Sequence, residues 1–124
     1  DRNRDEVLYV NAGHNPPLVL RTDGTLENLA GTGFCLGMFS SAVYEAKSVR
    51  LKPGDIILLY TDGIPESRNA DGAEYTMDRL VSLLRRSAQL PAAEITAAIA
   101  ADAKSFISGS RQCDDQTLVV IKKT

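Results

Sequence analysis

Polar and apolar residues alternate from Glu6 to Asn11, with Val7 and Tyr9 on one side, which predicts a β-strand. The run Ala12-Gly13-His14-Asn15-Pro16-Pro17 interrupts it. Leu18-Val19-Leu20 then resumes the extended pattern, so a hairpin with the first strand is expected. Thr22-Asp23-Gly24-Thr25 reads as a tight two-residue turn into a short strand from Leu26 to Leu29. Gly31 to Met38 has no clean period and reads as an irregular loop. Val43 to Leu51 predicts another strand with Glu45, Lys47 and Arg50 facing solvent. Lys52-Pro53-Gly54-Asp55 is a turn joining it, as an antiparallel hairpin, to the continuous apolar run Ile56-Ile57-Leu58-Leu59-Tyr60.

Helical spacing begins near Met77 and carries Leu80, Val81, Leu84 and Ala88 on one face, with Thr76 as N-cap. Pro91 opens a second helix, whose stripe is Ile95, Ile99, Ala103, Phe106 and Ile107 and whose end is Gly109. After a loop from Ser110 to Gln112, a last strand covers Thr117 to about Lys122. Several strands, two helices and a final strand make an α+β layout of antiparallel sheet with helices on a face. Phe34, Met38 and Phe39 are expected to cover the core, the alternative being that they line a partner groove.

Composition narrows the function classes. A chain of 124 residues with 44% hydrophobic and 24% charged residues fits one globular domain. Its net charge of -2, with Arg85-Arg86 and Lys122-Lys123 too small and too separate to form a basic patch, argues against nucleic acid as a partner. No apolar run approaches the roughly 20 residues of a membrane span, and no signal peptide is visible. Cys35 and Cys113 lack zinc or disulfide spacing and read as reduced thiols of a cytoplasmic protein. An opening on Asp1-Arg2-Asn3-Arg4-Asp5 without methionine reads as a piece of a longer protein.

The candidate chemistry lies in acids at strand ends. Asp62 follows the apolar run directly, and Asp114-Asp115 precedes the last strand. Carboxylates on rigid strands suit hard divalent cations, although Asp before Gly63 is also an ordinary turn residue. Adjacent acids need a cation or an exposed setting. The glycines between Gly31 and Gly37 match neither GxGxxG nor a P-loop, and no helix follows them.

Taken in order, Asn11-Ala12-Gly13-His14-Asn15-Pro16-Pro17, Leu36-Gly37, Pro53-Gly54-Asp55, Tyr60-Thr61-Asp62-Gly63-Ile64-Pro65-Glu66 and Asp114-Asp115-Gln116-Thr117-Leu118 resemble the SpoIIE/RsbU group of bacterial PPM (PP2C-like) serine/threonine phosphatases. The resemblance spans nearly the whole chain. It implies an antiparallel β-sandwich flanked by helices, with a binuclear Mn2+ or Mg2+ centre at one edge. It also implies hydrolysis of phosphoserine or phosphothreonine by a metal-activated water, on a phosphorylated anti-sigma-factor antagonist in stress or sporulation signalling.

By the same resemblance Asp62 and Asp114 are metal ligands and the catalytic acids. Gly63, Asp115, Glu66, Asn11 and His14 support them or shape the substrate approach. His14 is expected to tie its turn to a backbone group through a ring nitrogen, and Asn69 shares the loop after Glu66. The family's Gly-Asp-x-x-Gly-His-Gly motif, which carries the metal-bridging aspartate, is missing, and Asp5 does not replace it. Residues 1–124 are therefore expected to be the C-terminal portion of a single PPM domain, weakly active alone and prone to pair through exposed sheet edges as a homodimer. A noncatalytic phosphatase-like interaction module is the alternative.

Overall fold

The computed structural model describes residues 5–31, 33–110 and 114–124. Eight elements follow one another: β1 (Glu6–Tyr9), β2 (Leu18–Leu20), β3 (Leu26–Asn28), β4 (Lys47–Arg50), β5 (Ile56–Tyr60), α1 (Met77–Ser87), α2 (Ala92–Phe106) and β6 (Leu118–Lys122). They form two antiparallel sheets, one of β1 and β4 and one in the order β3-β2-β5-β6.

Within the larger sheet β2 and β5 are covered on both faces, which explains the uninterrupted apolar run of β5. Leu18, Leu20, Ile56, Leu58 and Tyr60 face the helices, where they meet Leu80, Leu84, Ile95, Ile99 and Ala103. The alternate residues Val19 and Ile57 face Val49 in the small sheet and Leu51 just past the end of β4. The period of two along β2 and β5 thus assigns side chains to two separate cores.

Both helices form as the apolar spacing predicts. The Thr76 side chain accepts from Arg79 N, and Lys122 Nζ donates to the carbonyls of Ala88 (2.7 Å) and Leu90 (2.8 Å) just beyond α1. The buried Tyr75 hydroxyl donates to Asp102 Oδ2 at 2.6 Å, and Arg79 bonds both oxygens of the same carboxylate, which fastens α1 to α2.

Strand pairing departs from the expected hairpins. β1 pairs with β4, not with β2, and β4 does not pair with β5. Leu51 N donates to Asp5 O, and the Arg50 carbonyl accepts from Arg21 Nη1, so the end of β4 is committed elsewhere before the turn at residues 52–55 begins. At that turn, as at residues 10–17, the chain passes from one sheet to the other. The β2–β3 connection is a hairpin, but a three-residue one: Arg21 N bonds Thr25 O and Gly24 takes φ +87°. The strand expected from Val43 begins only at Lys47.

Phe34, Met38 and Phe39 are a second correction. They are 61%, 59% and 54% exposed, and the two rings meet edge to face at 5.4 Å on the surface. Both cores are filled by other residues, most of them on strands and helices, and these three lie outside them. Cys35 is an exposed free thiol, while Cys113 and residues 111 and 112 of the expected loop lie outside the described residues.

Candidate functional site

β5 is the central rail of the site. Buried on both sides, it delivers Asp62 into solvent two residues after Tyr60, where Thr61 N donates to Thr117 O at 3.1 Å and extends the ladder with β6 past the strand's end. The Thr61 side chain then joins the two acid-bearing segments: its Oγ1 donates to Asp115 O (3.1 Å) and accepts from Thr117 N (2.9 Å). Gln116 Nε2 reaches back to Gly63 O at 2.9 Å.

Gly63 is buried against this loop. A Cβ there would collide with the Asp115 carbonyl oxygen, so only glycine permits the segments of Asp62 and Asp114 to lie this close. The turn beyond is closed by Ile64 N to Thr61 O (3.1 Å) and Glu66 N to Asp62 O (2.9 Å).

A third segment completes the cleft. Gly13, His14, Asn15, Thr61, Asp62, Gly63, Asp114 and Asp115 line a depression of about 370 Å³. Asn15 Nδ2 donates to Asp62 Oδ1, and Asp114 Oδ1 accepts from Asp115 N at 2.8 Å. Both burial and the negative charge of Asp62 push the Tyr60 hydroxyl above its ordinary pKa.

The structure therefore brings together Asp62, Gly63, Asp114, Asp115 and His14. Asn11 is buried behind the turn, where its Oδ1 accepts from His14 N at 2.8 Å. The His14 ring lies 3.1 Å from the Asn15 carbonyl through Nδ1, the backbone tie expected of it. Glu66 is exposed on the turn and does not line the cleft, and Asn69 accepts from Asp71 N and Ala73 N to shape its own loop. Asn15, Thr61 and Gln116 were not singled out by sequence reasoning. Their only signal is membership in the motifs, since uncharged polar residues in turns carry no chemistry of their own.

Carboxylates with nearby main-chain carbonyls are the donors that hard divalent cations select. The donor chemistry of Asp62 and Asp114 fits Mg2+ or Mn2+. Among the described residues no group of three or more His, Cys, Asp or Glu side chains gathers closely enough to hold an ion unaided. An ion here would draw its remaining ligands from water or from further protein.

The family model described as Stage II sporulation protein E (SpoIIE) matches residues 1–124. Protein IcfG of Synechocystis sp. is 29% identical over 121 residues, covering 98% of this chain and 19% of that protein. Phosphoserine phosphatase RsbP of Bacillus subtilis is 27% identical over 121 residues, covering 98% of this chain and 28% of that protein. The chain spans less than a third of these curated relatives. The SiaA-PP2C domain of Pseudomonas aeruginosa matches with a TM-score of 0.82 at 23% identity, over 100% of this chain and 49% of that one. The fold is thus that of part of a PP2C domain.

Proposed function

The chain belongs to the SpoIIE family, and from that membership we propose that residues 1–124 are the C-terminal portion of a metal-dependent protein serine/threonine phosphatase domain. The observation that carries the proposal is the cleft in which Asp62 and Asp114, 52 positions apart in sequence, are held by one clasp of Thr61, Gly63 and Gln116. A site for a mere surface turn needs no such clasp.

In this reading Asp62 and Asp114 hold Mn2+ or Mg2+, and Asp115 and Gly63 fix the spacing between them. Such an ion supplies Lewis-acid stabilisation of the phosphoryl oxygens and a water nucleophile at neutral pH. The chain's own residues keep the two carboxylates on one side of an open cleft, which suits a phosphoserine or phosphothreonine presented on a protein surface. The phosphoserine substrate is in keeping with the name of RsbP, a phosphoserine phosphatase, and a phosphorylated anti-sigma-factor antagonist in the cytoplasm is the protein we assign to carry it.

A second reading, a noncatalytic phosphatase-like module, is favoured by the absence of a third metal-binding side chain among the described residues. Mn2+-dependent hydrolysis of p-nitrophenyl phosphate separates the two. The complete protein should turn over and its Asp62→Asn variant should not, with the 124-residue chain alone giving little activity. Equal, measurable rates for the complete protein and Asp62→Asn would refute the ligand assignment, and no turnover by either would favour the module.

A further inference from the structure

Asn15 stands in the turn from Asn11 to Pro17, and its side chain reaches Asp62 across the cleft. We propose that Asn15 is a positioning residue for Asp62, orienting its carboxylate for the divalent cation. The inference rests on the phosphatase reading, in which Asp62 is a ligand.

The turn is built to present this one side chain. Asn11 Oδ1 accepts from His14 N at 2.8 Å and closes the turn. Gly13 sits at φ +82°, and a Cβ on it would lie 2.5 Å from Cys35 Sγ and 2.8 Å from Cys35 N, so the backbone is pressed against the segment behind it. Pro16 restricts the backbone of Asn15 to extended conformations, and Pro17 O accepts from Leu29 N at 2.8 Å, which anchors the exit of the turn to β3's end.

The Asn15 side chain is not the group that closes that turn, which Asn11 Oδ1 does, and within the turn Asn15 contributes its carbonyl, which meets the His14 ring. Its amide instead crosses to a residue 47 positions away and donates to Asp62 Oδ1. An ionised carboxylate only accepts, so the amide must present its NH2 group there. One oxygen of Asp62 is then fixed and the other is left for a second ligand. Hydrogen bonds of this kind, made to a ligating group from behind, set its orientation and typically change metal affinity 10- to 100-fold, on the order of magnitude known for such partners.

The test is Mn2+ binding, followed by the electron paramagnetic resonance signal of free Mn2+, in the complete protein and its variants. Asn15→Ala should weaken binding by about 10- to 100-fold while leaving the metal-free melting temperature unchanged. Asn15→Leu, close in size but without a donor, should do the same. Hydrolysis of p-nitrophenyl phosphate should be lost more at limiting than at saturating Mn2+. Unchanged or tighter Mn2+ binding in both variants would overturn the inference, as would a fall in metal-free melting temperature that accounts for the weaker binding. Asp62→Asn separates the two levels. If it weakens binding and the Asn15 variants do not, the positioning role alone fails; if it too leaves binding unchanged, the metal-site reading fails with it.

Discussion

Replacing Asp55 with alanine should destabilise the fold more than any exposed acid at the cleft. Asp55 has no exposed surface, and it accepts from Arg21 Nη1 (2.9 Å), Thr22 N (3.0 Å) and Lys52 N (2.9 Å). Arg21 also bonds the Arg50 carbonyl at 2.7 Å and pairs with Glu27 at 2.8 Å, so one carboxylate ties the β2–β3 hairpin to the end of β4 and the start of β5. In Asp55→Ala each donor left without an acceptor costs about 1–3 kcal/mol. Arg21 keeps two other partners and water reaches part of the gap, which brings the sum to the ~3–5 kcal/mol expected for breaking a buried pair from one side. Against a total stability of about 5–15 kcal/mol, that is a large fraction.

Urea denaturation reads this as a fall in midpoint of roughly 2 M, taking a slope of about 2 kcal/mol per molar. Acid supplies a second signature. Burial pushes the Asp55 carboxyl upward, but the bonds from Lys52 N, Arg21 and Thr22 N together outweigh it and hold the group below its ordinary value of 3.8. A carboxylate with a depressed folded pKa adds stability above its unfolded pKa and loses it as pH falls through the folded one. The gap between wild type and Asp55→Ala should therefore be constant at neutral pH and narrow below about pH 4. A gap under about 1 kcal/mol at pH 7, the cost of a single ordinary hydrogen bond, or one that stays constant in acid, would refute the clamp.

Two further outcomes follow from packing. Gly63→Ala places a methyl group against the Asp115 carbonyl, which as backbone cannot rotate away, so a loss of about 1–3 kcal/mol in thermal melting should accompany weaker Mn2+ binding; a variant matching wild type in both would contradict the clasp. On β6, Val119 and Ile121 are 47% and 44% exposed, because the facing sheet is only β1 and β4 and packs over Val19 and Ile57. If that edge mediates pairing between copies of the 124-residue chain, Ile121→Lys should reduce its mass in light scattering at high concentration, whereas a monomeric wild type would count against self-association.

Which parts of this architecture could be read from the chain follows from what periodicity encodes. Spacing specifies which side chains turn inward, so β2, β5 and the stripes of α1 and α2 were all legible, as was an acid set at the mouth of β5. It does not specify which strand lies beside which. Pairing of β1 with β4 depends on where the backbone groups of Arg50 and Leu51 are satisfied, and their partners Arg21 and Asp5 lie far away in sequence. The same limit applies to Asp55, which reads as a turn residue until Arg21 arrives from 34 positions upstream to accompany its charge into the core. Phe34, Met38 and Phe39 fail in the opposite direction: apolar character without a period names no face, and the two cores close without them. The site combines both cases. Asp62 and Asp114 were visible because charge at a strand end is chemically conspicuous, while Thr61 and Gln116 act through hydrogen bonds that exist only once β5 and β6 are paired, and Asn15 through one that needs β2 beside β5. Setting Asp62 just past the end of the most deeply buried strand and Asp114 ahead of its neighbour β6 makes the geometry of the cleft a consequence of the core, so that mutations at Asp55, on the opposite end of β5 from Asp62, bear on the rail from which the site is hung.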